Sequence, residues 1–163
     1  MTLETPPLIL SIQSHVAWGH VGNAAAVFPL QRLGFEVLPV HTVQFSNHTG
    51  YGQFRGQVFG ADHIREIIAG LRERGVLQRV SAVLSGYLGD AGTGAVILDA
   101  VGEIRRENPA VRYLCDPVMG DVGRGVFVNP AIPDFLRDQA MPNANIICLL
   151  YTSDAADDLL CVD

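Results

Sequence analysis

Short apolar runs alternate along the chain with longer stretches in which apolar residues recur every third or fourth position. Leu8-Ile9-Leu10-Ser11-Ile12 reads as a buried strand ending at Gln13-Ser14, and Phe35 to Val43 reads as a second. Val80 to Leu84, Val111 to Cys115 and Ile146 to Leu149 supply three more. Between the first two, Gly22-Asn23 opens a helix with Asn23 as its expected N-cap. Pro29 either kinks that helix or marks a later start. Ile64, Ile67, Ile68 and Leu71 lie on one face of a helix, with Asp62 as its expected N-cap. Val96, Ile97, Ala100, Val101 and Ile104 repeat the stripe, and Pro130 to Arg137 reads as a short helix. Strands alternating with helices of this length predict βαβ crossovers and an α/β fold with a mostly parallel sheet covered on both faces. Ligands of such sheets bind beyond the carboxyl ends of the strands. The residues that follow each strand are therefore the candidates for chemistry.

Composition narrows the field. The chain has 163 residues, about one domain, and is 48% hydrophobic and 17% charged, which suits a packed core. Its net charge of −6 argues against a nucleic-acid partner, which requires a basic face. All 11 basic residues are arginine. Without lysine there is no G-x-x-x-x-G-K-[ST] phosphate loop and no internal Schiff base. The three cysteines, Cys115, Cys148 and Cys161, lack C-x-x-C spacing, and none of the five histidines pairs with another at helical metal-site spacing. No segment reads as a secretory signal or a membrane span. The expectation is a soluble cytoplasmic protein with no membrane partner.

Each strand end admits two readings. After the first strand, Gly19 and Gly22 form G-x-x-G where a dinucleotide fold needs G-x-G-x-x-G, so a nicotinamide-binding domain is disfavoured. Ser14 there is either a turn hydroxyl or a donor to a small polar ligand. After the second strand, Gln44-Phe45-Ser46-Asn47-His48-Thr49-Gly50-Tyr51 is either an ordinary polar loop or an aromatic wall with placed donors, which suits a planar heterocycle. After the third, Gly86, Gly89, Gly92 and Gly94 either shape a tight turn or cradle an anion at a helix start. After the fourth, Asp116 and Asp121 are either loop caps or carboxylates that hold Mg²⁺ beside substrate phosphates.

Taken together, four segments resemble the pyridoxal kinases of the ribokinase-like superfamily. They are S-I-Q-S-H-V-A-W-G-H-V-G-N (11–23), T-V-Q-F-S-N-H-T-G-Y-G (42–52), L-S-G-Y-L-G (84–89) and C-D-P-V-M-G-D (115–121). The likeness runs from about residue 8 to 147, and F-S-N-H-T-G-Y is its most specific element. It implies a three-layer α/β/α fold with a mostly parallel central sheet. It also implies ATP-dependent phosphorylation of the 5′-hydroxymethyl group of pyridoxal, with Mg²⁺ accompanying ATP and no covalent cofactor. By resemblance, Ser14 hydrogen-bonds the pyridine ring, Val43, Phe45 and Thr49 line the vitamin pocket with Gly50 alongside, and Tyr87 packs on the vitamin. Asp116 stands on the ATP side, and Asp116 and Asp121 on the Mg²⁺ side through water. Such kinases are commonly homodimers.

The likeness stops near Cys148. Relatives continue there with T/A-P-N-x-x-E and later carry a G-T-G-D-type loop, which supplies the anion hole and the aspartate base. In this chain Leu150 and Ser153 stand where the Asn and Glu belong, and no G-T-G-D follows. Residues 1–147 hold 13 acids and 11 arginines, whereas 148–163 add four acids and no base. The expectation is a kinase portion over 1–147 and a non-family tail over 148–163. No catalytic base is assigned, and the chain is expected to be inactive and poorly soluble because its sheet ends early. A hydroxymethylpyrimidine or pyridoxine kinase of the same superfamily, and a non-catalytic vitamin-binding module, are the competing readings.

Overall fold

The chain winds outward from one inner strand in both directions. The computed structural model describes residues 5–121 and 125–149, with the side chain of Asp121 left out. In chain order the strands are β1 (Leu8–Trp18), β2 (Glu36–Asn47), β3 (Gly56–Val58), β4 (Val80–Ser85), β5 (Arg112–Cys115), β6 (Gly120–Asp121), β7 (Gly125–Val126) and β8 (Ile146–Ile147). Six form one sheet in the order β3-β2-β1-β4-β5-β8, while β6 and β7 make a separate small hairpin. All neighbours in the large sheet are parallel except β2 and β3. Winding reverses at β1, since β2 lies on one side of it and β4 on the other.

The helices α1 (Asn23–Arg32), α2 (Ala61–Glu73), α3 (Thr93–Glu107) and α4 (Ala131–Phe135) join the strands. The last continues through a π-helical turn, Leu136–Ala140, to Met141–Asn143. Leu8, Leu10 and Ile12 of β1 meet Ile64 and Ile68 of α2, Ile97 and Ile104 of α3, and Ile132 and Leu136 in one apolar core. Each such side chain contributes about 1.5–3 kcal/mol on full burial. Ser11 and Gln13 point the other way, toward α1, because alternate strand residues face opposite sides. This is an α/β sheet with helices on both faces. Cover on the second face is partial: α1 packs on β1 and β2, while Ala82, Leu84 and Leu114 stay half-buried and Ile146 and Ile147 are exposed.

Several local expectations are corrected. β1 runs to Trp18 rather than ending at Ser14, because β4 accompanies it only as far as Ile12 while β2 pairs with it to Asn47. Paired on one side, that extension needs no apolar run, and the polar Gln13-Ser14-His15 hides it from hydrophobic patterning. β2 likewise continues through residues read as a loop, and the three-residue antiparallel edge strand β3 has no sequence signal of its own. Gly22, not Asn23, caps α1; its φ of +54° suits glycine, and a Cβ there would collide with Ser14. Asn23 instead turns inward. Pro29 lies inside α1 and does not delay its start. Gly60 precedes α2, and Asp62 sits in its first turn, paired with Arg65.

Candidate functional site

The candidate site is a row along the carboxyl edge of the sheet. Its centre is an irregularity in the β1–β2 register. Gln13 faces His41 and His15 faces Gln44, so Ser14 alone stands opposite both Thr42 and Val43. This β-bulge turns two successive β2 residues inward, and both are fully buried, in breach of the usual alternation. Val43 and Phe45 then join Val16 in a small apolar cluster separate from the main core, with Val21, Ala24 and Tyr87 packed against it. Val43 and Phe45, singled out on one segment of the sequence, and Tyr87, on another, therefore share one wall. Ser14 lies in the bulge beside them, its hydroxyl against Gly22.

The crevice between β1 and β4 is the point where winding reverses, the favoured ligand position in such sheets. Gln13 and Ser14 end one side of it, and Gly86 and Tyr87 the other. Gly86 donates its N–H to Ile12 O at 3.2 Å, and a Cβ on it would stand 2.6 Å from Gln13 Oε1. Backbone closeness there depends on the glycine. Tyr87 is half-buried, and burial pushes its phenol pKa upward, so it remains a neutral hydroxyl and ring at physiological pH.

In the segment after Phe45, most polar side chains are occupied in shaping the turn. Ser46 Oγ donates to Asn47 Oδ1 at 2.7 Å and accepts from Arg55 N–H at 3.0 Å. Asn47 Nδ2 donates to the carbonyls of His48 and Gln53, and His48 Nδ1 accepts from Gly50 N–H at 3.1 Å. The turn itself, Thr49–Tyr51, packs on the tip of β1. Tyr51 lies 5.1 Å from Trp18 and 5.2 Å from His48 between ring centroids, and His48 N–H reaches Trp18 O. Thr49 is half-buried and Gly50 exposed. The ordinary-loop reading thus holds for Ser46, Asn47 and His48, which leaves Thr49 as the polar side chain of the turn not committed to another described residue.

The row continues to β5. Asp116 N–H donates to Ser85 O at 2.9 Å, which holds this half-buried residue beside the end of β4. Beneath it, Ser85 Oγ and Tyr113 OH are 2.9 Å apart. Burial raises the pKa of the Asp116 carboxyl. A partly desolvated carboxylate at a strand end is a donor suited to a hard cation that keeps other ligands from water and phosphate. The side chain of Asp121 lies outside the described residues. Among those residues no cluster of three or more His, Cys, Asp or Glu could hold a metal by itself.

The glycine-rich stretch after β4 follows its plainer reading. Asp90 Oδ1 accepts from Gly92 N–H at 2.9 Å, and a Cβ on Gly94 would run into the Phe135 ring. These glycines make a turn and a close helix contact. Pattern reading missed the contact of Thr42 with the loop after β4 and the pairing of His15 with His41, whose rings lie 4.5 Å apart. The bulge and the parallel register bring these together, and neither shows as a spacing in the sequence. Thr42 had one signal: it opens the segment that carries the likeness.

A mostly parallel sheet wound in both directions from β1 makes a doubly wound α/β fold, and its match to solved pyridoxal kinases makes it similar to the ribokinase-like class. The sequence comparisons narrow that class. The chain is 61% identical over 139 residues to pyridoxal kinase PdxY of Granulibacter bethesdensis, covering 85% of this chain and 49% of that protein. It is likewise 61% identical over 139 residues to pyridoxal kinase PdxY of Rubrobacter xylanophilus, of which it covers 48%. Its fold matches the pyridoxal kinase of Leishmania donovani, solved with ADP and pyridoxamine, at a TM-score of 0.81 and 36% identity, over 86% of this chain and 50% of that one. No family model matches the chain. In sequence and fold it is similar to the pyridoxal kinases, and it spans about half the length of the curated relatives it matches.

Proposed function

We propose that this chain carries the vitamin-binding portion of an ATP-dependent pyridoxal kinase, which phosphorylates the 5′-hydroxymethyl group of pyridoxal. The observation that carries the reading is the meeting of Val43, Phe45 and Tyr87 in one apolar cluster beside Ser14, at the winding reversal of the sheet. A flat, weakly polar heterocycle suits an aromatic and aliphatic wall with a few hydroxyls at its rim. In our reading Ser14 and Thr49 supply those hydroxyls, Gly50 allows close approach, and Val43, Phe45 and Tyr87 hold the ring. The absence of lysine agrees with a vitamin bound as substrate rather than as an aldimine.

Asp116 lies at the neighbouring strand end, where a nucleotide would reach the vitamin, and we assign it to the ATP side. Its carboxylate would share Mg²⁺ with Asp121 through water, and the cation would screen phosphate charge. Phosphoryl transfer needs an anion hole and a base for the 5′-hydroxyl, and no G-T-G-D loop occurs in these 163 residues. We therefore propose that residues 1–147 bind the vitamin without completing transfer, and that 148–163 form a separate tail. The sequence matches cover 85% to 90% of this chain and leave a short part of it unmatched. We also propose a homodimer, and a cytoplasmic location in keeping with free Cys115 and Cys148. Among the described residues no helix is long and apolar enough to cross a membrane.

Titration with pyridoxal, read by the single Trp18 and by the absorbance of the vitamin, tests the binding. Saturable one-site binding is expected, with no pyridoxal phosphate formed on adding Mg²⁺ and ATP. Absence of binding by a folded sample, or tighter binding of a hydroxymethylpyrimidine than of pyridoxal, overturns the assignment.

A further inference from the structure

Phe45 on β2 and Tyr87 on the loop that follows β4 belong to one apolar cluster, although β2 and β4 are not neighbours. β1 lies between β2 and β4, so no ladder hydrogen bond holds the two sides of the pocket together. Something beyond the end of the paired region has to fix their separation. Thr42 Oγ1 spans that gap, donating to the carbonyl oxygen of Tyr87 at 2.6 Å.

Resting on the vitamin-pocket reading above, we propose that Thr42 is a positioning residue, whose hydroxyl sets where Tyr87 stands against Val43 and Phe45. Thr42 is 0% exposed on the same inward face as Val40, and the bulge places Val43 beside it. A buried hydroxyl needs a partner, and the partner here belongs to the pocket loop rather than to the sheet. The Thr42 backbone is fixed as well, since its carbonyl accepts from Phe59 N–H at 2.9 Å. The clamp therefore pulls the loop to β2 and not the reverse.

A second, independent feature favours the same approach. Gly89, two residues beyond Tyr87, has a φ of +73°, and a Cβ there would stand 2.7 Å from Val43 Cγ1 and 3.3 Å from Thr42 O. The loop comes in against the bulge with no room for a side chain. Residue types on both sides thus serve one close contact. Val43 supplies the wall, Thr42 the tie, and Gly89 the space.

The test uses the full chain labelled with 3-fluorotyrosine and two variants. Thr42→Val keeps the shape and loses the donor, whereas Thr42→Ser keeps the hydroxyl. In fluorine NMR without ligand, Thr42→Val is expected to shift and broaden the Tyr87 line, identified with Tyr87→Phe. The line of Tyr113, buried in the main core, should stay in place and report an intact fold. Pyridoxal affinity should fall by about tenfold, the scale of one lost hydrogen bond, and Thr42→Ser should retain both the line and the affinity. An unmoved Tyr87 line with unchanged affinity in a folded Thr42→Val protein overturns the proposal. Equal losses in Thr42→Val and Thr42→Ser also overturn it, because packing rather than the hydroxyl would then set the position. Should Thr42→Val fail to fold, Thr42→Cys, close in size and a poor donor, is read by the same two outcomes. If the wild-type chain binds no pyridoxal, the functional reading fails, while the Tyr87 line still decides the role of Thr42.

Discussion

Asn23 is the polar residue whose loss the fold should tolerate least. It is 2% exposed, at the start of α1 and against the face of the sheet opposite the main core. Its Oδ1 accepts from Ser11 Oγ at 2.7 Å, and its Nδ2 lies 3.1 Å from Val40 O and 3.0 Å from His41 Nδ1. The carbonyls of Ser11 and Gln13, both at 3.4 Å, are too distant to add much. One amide thus ties β1, β2 and α1 together, and its two N–H groups have enough acceptors. Asn23→Ala removes the acceptor of the Ser11 proton, and Ser11 then keeps only the N–H it receives from Gln13 Nε2 at 2.9 Å. At least one of Val40 O and His41 Nδ1 loses its donor at the same time.

A buried polar group left unpaired costs roughly 1–3 kcal/mol, so two such groups imply about 3 kcal/mol in total. For a chain of this length each kcal/mol moves the melting temperature by roughly 2–4 °C. Thermal unfolding followed by circular dichroism at neutral pH should therefore show Asn23→Ala melting about 6–12 °C below wild type. Asn23→Asp, which keeps the acceptor for Ser11 but turns a carboxylate toward backbone carbonyls, should be at least as damaging. A melting temperature for Asn23→Ala within about 2 °C of wild type would show that the network is not holding α1 to the sheet.

Three further outcomes follow from the same geometry. Burial, and secondarily His15, lower the pKa of His41 from its ordinary 6.5, so the unfolded chain takes up that proton first as pH falls; the stability is whole above pH 6.5 and is lost below it, and His41→Gln should flatten the fall in melting temperature on acidification. Burial raises the Asp116 pKa, so desolvation of the carboxylate weighs against folding at neutral pH; Asp116→Asn should melt above wild type and leave pyridoxal titration close to wild type, and a lower melting temperature would contradict the desolvation argument. Gly94→Ala forces a methyl into the Phe135 ring and should cost roughly 1–3 kcal/mol, largely regained in the double variant with Phe135→Leu, as denaturant titration would show.

What the sequence discloses and what it hides divide along a physical line. Helices α2 and α3 are legible because their apolar stripes bury Ile64, Ile68, Ile97 and Ile104, and the strands β4 and β5 because their apolar runs are flanked by turn residues. The outer half of β1 is not, because Gln13, Ser14 and His15 read as a strand end while the backbone goes on pairing with β2. Asn23 shows the same limit. Its residue type suits a cap, but capping preference is worth about 1 kcal/mol, and a buried network of hydrogen bonds outweighs it. Val43, Phe45 and Tyr87 were named as pocket residues from likeness, and their meeting is a matter of register that no spacing encodes. Thr49 and Gly50 were named in the same way, and the structure carries them on the next turn, against the tip of β1.

The bulge explains why one short stretch can serve both stability and recognition. In a regular strand Thr42 and Val43 would point to opposite faces, and only one could reach the crevice. With Ser14 facing both, the chain obtains a hydrogen-bonding tie and an apolar wall from consecutive positions. It also obtains a β1 residue, Ser14, whose hydroxyl is not committed to another described group. Removing the irregularity should therefore do more harm to the site than to the core. The main core lies on β1 residues before the bulge, Leu8, Leu10 and Ile12, whose register with β2 it does not disturb. A deletion that restores one-to-one pairing, such as loss of Thr42, sets Val43 alone opposite Ser14 and keeps Gln44 opposite His15 and Phe45 opposite Val16. Phe45 would stay in the cluster with Val16 while the tie from Thr42 to Tyr87 O is lost, so pyridoxal affinity should fall by about tenfold, the scale of one hydrogen bond, while the helical circular dichroism signal persists. Undiminished affinity in that deletion would mean that neither the bulge nor the tie shapes the pocket.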